Sequence, residues 1–208
     1  MVFEHKGMKI LFCEGVYEPS EDTFLLLDAL EKETWSGTES MLEVGCGTGI
    51  ASIFLCKKVK EVFSLDINMR AVSCTKQNMA NNKVSNSHVF SSDLFSAISN
   101  RKFDAIIFNT PYLPEDKETE KFSDPAWSGG KNGRDVIEKF LKGALKHIAA
   151  HGKIFLVESS LSDYSKTLDF FRANGLKAEV VARKKISFEE IVVIKAKTEK
   201  FINSGAII

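Results

Sequence analysis

The chain has 208 residues, enough for one domain with a sizeable core. Its 28 basic and 28 acidic residues cancel, which removes any global field that would draw it to nucleic acid or an anionic membrane. An apolar share of 44% with 27% charged residues is that of a globular chain, and neither a membrane-length apolar run nor a signal-peptide pattern is read. Cys13, Cys46, Cys56 and Cys74 contain no Cys-x-x-Cys pair, and no histidines stand at metal spacing. Four reduced thiols, a cytosolic protein and no metal site of its own are therefore expected.

In chain order, residues 1–16 are weakly patterned, with one short strand expected around 8–12. Val-Tyr-Glu-Pro-Ser-Glu-Asp-Thr follows from Val16 to Thr23. Ser20 is placed to cap a helix reaching about Lys32, with Glu21 and Asp22 favourable in its first turn. Phe24, Leu27 and Leu30 supply its apolar face. Such a helix can close over a pocket or merely pack, and packing is the stronger reading of the segment alone.

Residues 41–49, Met-Leu-Glu-Val-Gly-Cys-Gly-Thr-Gly, are a strand breaking into a glycine-rich turn, with a helix over 50–58 behind it. Glycines let a ligand approach the backbone without a Cβ in the way. A dinucleotide fingerprint needs a third glycine where Ile50 stands. The turn therefore favours a nucleoside ligand without phosphates, of which S-adenosylmethionine is the common one. A second strand over 61–66 ends in Asp66, 21 residues after Gly45 (66 − 45), the distance at which an acid accepts hydrogen bonds from a ribose diol. Asn68 can cap the next helix, to about Asn81, with Ala71, Val72, Thr75 and Met79 inward. A short third strand opens at Ser87 and closes at Phe90. Asp93 beyond it can accept from an adenine amino group while Leu94 offers its amide to a ring nitrogen; a plain turn carboxylate is nearly as good a reading.

Residues 103–114, Phe-Asp-Ala-Ile-Ile-Phe-Asn-Thr-Pro-Tyr-Leu-Pro, organise the rest. The first six read as a buried parallel strand, which two prolines then stop. Asn109, the Thr110 carbonyl fixed ahead of Pro111, and Tyr112 gather beyond a strand's carboxyl end, where α/β sheets bind ligands. Residues 113–131 are too long for a plain connector, and Trp127 beside Gly129 and Gly130 suggests a docking lip. A helix over 135–150, a strand over 153–158 and a helix marked by Leu161, Tyr164, Leu168 and Phe171 follow. His147 is expected to be a solvated or capping residue. Strands over 176–182 and 188–196 then form an antiparallel hairpin, with Arg183, Lys184 and Lys185 in a solvated turn. The fold class is α/β, with a mainly parallel, doubly wound sheet.

Together these residues resemble a Rossmann-like class I S-adenosylmethionine-dependent methyltransferase. Residues 43–49 resemble its first cofactor motif, Asp66 its ribose acid and Asp93 its adenine acid, while Asn109-Thr-Pro-Tyr112 is similar to the Asn-Pro-Pro-Tyr signature of amino-methylating members. Residues 17–23 and the 127–133 loop narrow the resemblance to HemK-like protein-glutamine N5-methyltransferases, in the short eukaryotic and archaeal form. The resemblance implies seven strands in one domain over 1–208, with an extension and lid helix over 1–34 and a core over 39–198. It implies cofactor contacts at Tyr17, Thr23, Glu43, Gly45, Gly47, Gly49, Asp66, Ile67, Asp93, Leu94 and Asn109, and a catalytic set of Asn109, Thr110, Pro111 and Tyr112. S-adenosyl-L-homocysteine would be the product. The implied substrate is the glutamine of the Gly-Gly-Gln motif in a class I translation termination factor, in the cytoplasm with the nucleus as a second compartment. An obligate small zinc-binding activator is implied as well, and the 87–90 strand, if it lies at the sheet edge, could accept it. Thr110 departs from the family, which has proline there.

An amide nitrogen is a poor nucleophile, so the site has to orient it. The Asn109 side-chain oxygen and the Thr110 carbonyl are expected to accept its two hydrogens, with Tyr112 packed on the flat amide. The rival is an adenine-N6 methyltransferase on DNA or RNA, since the same quartet suits that amine. Enzymes on duplex DNA must flip a base and usually add a recognition domain, for which this chain leaves no room, and its charge is nil.

Overall fold

A computed structural model describes residues 2–112, 134–186 and 189–198. The chain opens with an antiparallel hairpin, β1 (Val2–His5) and β2 (Met8–Leu11), where one strand was expected. Then come α1 (Glu21–Glu31), β3 (Ser40–Val44), α2 (Ile50–Cys56), β4 (Glu61–Asp66), α3 (Met69–Asn81) and β5 (Ser87–Ser91). The second half holds β6 (Phe103–Asn109), α4 (Asp135–His147), β7 (Ile148–Ser159), α5 (Tyr164–Ala173), β8 (Leu176–Ile186) and β9 (Glu189–Thr198).

β3 to β9 form one seven-stranded sheet in the order β5-β4-β3-β6-β7-β9-β8. The first five strands pair in parallel, while β9 pairs antiparallel to both β7 and β8. This is the expected class I methyltransferase architecture with its closing hairpin. Period-two alternation explains why the central strands are apolar throughout. Met41, Ala105, Ile107, Phe155 and Val157 face one core with α1 and α2, while Leu42, Ile106, Phe108, Ile154 and Leu156 face the other with α4 and α5. Winding reverses between β3 and β6, which opens a crevice at their carboxyl ends.

Several expectations are corrected. Cys13 and Cys74 are joined in a disulfide with Cα atoms 6.1 Å apart, so only Cys46 and Cys56 are free thiols. Chain spacing gave no sign of this, because α3 alone brings Cys74 back under the N-terminal segment. Residues 148–150 extend β7 by pairing Ile148 with Phe103 instead of continuing α4. α5 begins only at Tyr164, after a short 3-10 turn (Ser160–Ser162), and leaves Leu161 49% exposed. Arg183, Lys184 and Lys185 lie inside β8, where Lys184 pairs with Glu21 and Arg183 with Glu190. Ser20 does stand at the N-cap of α1, but its side chain makes no capping bond. Asn68 caps α3 as expected, accepting from the Arg70 N–H. His147 closes α4, bonded through Nδ1 to the Arg101 carbonyl and stacked on Phe95. The 113–131 loop, with Trp127, Gly129 and Gly130, and Phe188 lie outside the described residues.

Candidate active site

A cavity of about 260 Å³ opens at the crevice, between the carboxyl ends of β3, β4 and β6 and the first turn of α1. Its floor is the glycine turn. Gly45 sits at φ 64°, and a Cβ there would come within 2.9 Å of the Phe108 ring, so a side chain is barred both by conformation and by space. Gly49 lies behind the turn and not on the cavity wall: at φ 80° it starts α2, and a Cβ would strike Thr75 at 2.7 Å. Gly47 lines the cavity, and its N–H donates to Asp66 Oδ2 at 3.0 Å. The Asn68 N–H donates to Asp66 Oδ1 at 2.9 Å, so both carboxylate oxygens are held by backbone amides. Glu43 lies beneath the turn, accepting from Ser52, and burial pushes its carboxyl up to about 8.

The adenine-side candidates also line the cavity. Ile67 is 59% exposed at its mouth and Asp93 is exposed at the end of β5. Leu94 adopts φ 46°, a costly conformation for a leucine. The Ser92 hydroxyl holds it there by donating to the Leu94 carbonyl at 2.8 Å while accepting from the Ala97 N–H at 3.0 Å. Ser92 was not singled out from the sequence, nor were Val136 and Lys139 of α4, which close this side.

The opposite end is built around a residue that sequence reasoning took for a helix-start acid. Asp22 is 4% exposed and collects four partners. Tyr17 donates its hydroxyl to both carboxylate oxygens at 2.8 and 2.7 Å, Asn109 donates Nδ2 at 3.1 Å, Tyr112 its hydroxyl at 3.3 Å, and Thr23 its backbone N–H. Burial first, and the Asp22 charge second, raise the Tyr17 and Tyr112 phenols, so both stay protonated donors. A carboxylate only accepts, so Asn109 has to present its NH₂ to Asp22. Its Oδ1 is consequently turned away, buried and without a hydrogen-bond partner among the described residues. Thr110 and Pro111 complete the wall beside it.

Among the described lining residues Asp22, Glu43, Asp66 and Asp93 are acidic and Lys139 alone is basic. That balance suits a cationic ligand. Among the described residues no group of His, Cys, Asp and Glu could hold a metal ion. The methyltransferase small domain model matches residues 9–186. The chain belongs to that family. It is 38% identical over 199 residues to a putative protein N5-glutamine methyltransferase of Methanocaldococcus jannaschii, covering 94% of this chain and 98% of that one. Methyltransferase HEMK2 of Homo sapiens is 34% identical over 190 residues, covering 86% and 88%. Among solved structures, the E. cuniculi Mtq2–Trm112 complex, described as methylating the eRF1 translation termination factor, matches with a TM-score of 0.72 and 27% identity, covering 89% of this chain and 99% of that one. This family member is thus an S-adenosylmethionine-dependent methyltransferase. The cavity fits that cofactor, since acidic side chains on its lining suit a ligand that carries a sulfonium and an ammonium. No described helix is long and apolar enough to cross a membrane.

Proposed function

We propose that this methyltransferase transfers a methyl group to the side-chain nitrogen of the glutamine in the Gly-Gly-Gln motif of a class I translation termination factor, in the cytoplasm. The observation that carries the reading is the buried Oδ1 of Asn109, without a hydrogen-bond partner among the described residues, on a residue that lines the cavity next to Thr110. Burying an acceptor without a donor costs about 1–3 kcal/mol, so its persistence fits a donor supplied by substrate. Those two oxygens accept the two N–H groups of the substrate amide. They direct its lone pair inward and offset the positive charge that develops on nitrogen, with no strong base required. Tyr112 packs on the amide plane.

S-adenosylmethionine, when bound, supplies an electrophilic methyl on a sulfonium sulfur. Asp66 would hold the ribose, Asp93 and Leu94 the adenine edge with Ile67 against its face, and the Gly45 and Gly47 backbone the inner part. Tyr17, Asp22 and Thr23 would close the methionine end, with Glu43 supporting the turn from below.

The partner in this reading is a small zinc-binding activator. Among the described residues β5 pairs only with β4 and ends the sheet, so its outer edge offers backbone groups for strand addition, with half-buried Val89 and Phe90 beside it. Val89→Pro removes one donor there and is expected to abolish the complex; undiminished pull-down of the activator would place the interface elsewhere. The function is tested by mixing the protein, with and without the activator, with labelled S-adenosylmethionine and termination factor. Label in the native factor, and not in one with its glutamine changed to alanine, is expected only with the activator. Label in adenine of DNA or RNA instead would move the reading to the rival amine.

A further inference from the structure

We propose that Thr110 is a positioning residue whose hydroxyl bolts the catalytic turn to the neighbouring strand. Thr110 follows the last residue of β6 and is 4% exposed. Its Oγ1–H donates to the Val157 carbonyl in β7 at 2.7 Å. Val157 is itself fully buried and is the register partner of Asn109. The bond therefore closes the sheet where the ladder ends and the turn toward the cavity begins.

The donated proton fixes what this hydroxyl can do. It is committed to a buried carbonyl, so it does not donate to substrate and it acts through geometry. Beta-branching limits χ1, and the hydrogen bond selects one rotamer of those left. A fixed side chain on one side and Pro111 on the other leave the intervening peptide little freedom. That peptide carries the Thr110 carbonyl, while Asn109 just before it is clamped by Asp22. The two oxygens assigned to the substrate nitrogen under the proposed function are thus anchored to different parts of the fold. Asn109 is tied to α1 and Thr110 to β7. Within residues 109–112 Pro111 is the one proline, and the threonine hydroxyl adds a second restraint.

This inference rests on the proposed glutamine chemistry for its kinetic readout but not for its structural one. Thr110→Val keeps shape and branching and removes only the hydroxyl; Thr110→Ser keeps the hydroxyl. In the complex with activator, amide hydrogen exchange over 105–112, with S-adenosylhomocysteine bound, is expected to quicken in Thr110→Val and to return towards wild type in Thr110→Ser. Transfer to the termination factor is expected to fall about tenfold in kcat for Thr110→Val, with unchanged cofactor affinity, and to be largely rescued by serine. Exchange and kcat unchanged in the valine variant would overturn the proposal. So would equal losses of cofactor affinity and kcat, which mark a general loss of structure. If wild type transfers nothing to glutamine, the proposed function fails, while the exchange comparison still decides the role of the hydroxyl.

Discussion

The two ends of the cavity are built differently. The glycine-turn end, assigned to the ribose under the proposed function, comes from consecutive elements: β3, its turn and the end of β4, where Asp66 binds amides only 19 residues before it and 2 after it. The transfer end joins segments far apart in the chain, because Asp22 meets Asn109 across 87 residues and Tyr112 across 90, while Thr110 reaches Val157 across 47. Local assembly makes a site that tolerates small shifts of the sheet. Long-range assembly makes one that depends on how α1 packs, because Asp22 of α1 sets the orientation of Asn109.

If that contrast holds, substitutions at the two ends should separate turnover from affinity. Asn109→Ala has the largest expected effect, a loss of about 10²–10³ in kcat, with cofactor affinity within a few fold; near-normal turnover would remove its role. Asp22→Asn lets its amide face Asn109 in either sense and releases the constraint on Oδ1. Turnover is expected to drop about 10–100-fold, and calorimetry with S-adenosylhomocysteine should show a smaller loss. Asp66→Ala belongs to the other end and should weaken cofactor binding by about tenfold while leaving kcat at saturation within a few fold. Unchanged affinity would take the ribose away from Asp66.

A further expected effect is on stability. Folding raises the Glu43 carboxyl from 4.5 to about 8 by burial, so the native state holds a proton that the unfolded chain has lost. Its contribution is full below pH 4.5, declines as pH rises, and is gone once pH passes about 8. Glu43→Gln should flatten the fall in urea midpoint across that window. An unaltered pH profile would show that Glu43 is ionised in the folded protein.

The same contrast explains what could be read from the chain. That Gly45, Gly47, Asp66, Asp93 and Leu94 meet at one cavity was legible because strand, turn and acid recur at short spacings that local geometry imposes. The sheet was legible because apolar runs such as 103–108 have to be buried on both faces. Asp22 was visible only as a favourable helix-start charge, since nothing near it in the chain reveals that Tyr17, Asn109 and Tyr112 converge on it. The Cys13–Cys74 bond and the extension of β7 over residues 148–150 were hidden for the same reason. Each is decided by tertiary approach rather than by neighbours. Gly49 was also read as a cofactor contact, but it is not among the described cavity-lining residues, and Thr75 behind the turn leaves no room for a Cβ there.

The central claim is that the orphaned Asn109 oxygen and the Thr110 carbonyl receive a carboxamide nitrogen. The most direct measurement is tandem mass spectrometry of a termination factor incubated with the protein, its activator and methyl-labelled S-adenosylmethionine. One added methyl on the side-chain nitrogen of the Gly-Gly-Gln glutamine, lost with Asn109→Ala, is the expected result. A methyl on any other atom of the factor, or on that glutamine irrespective of Asn109, would contradict the account.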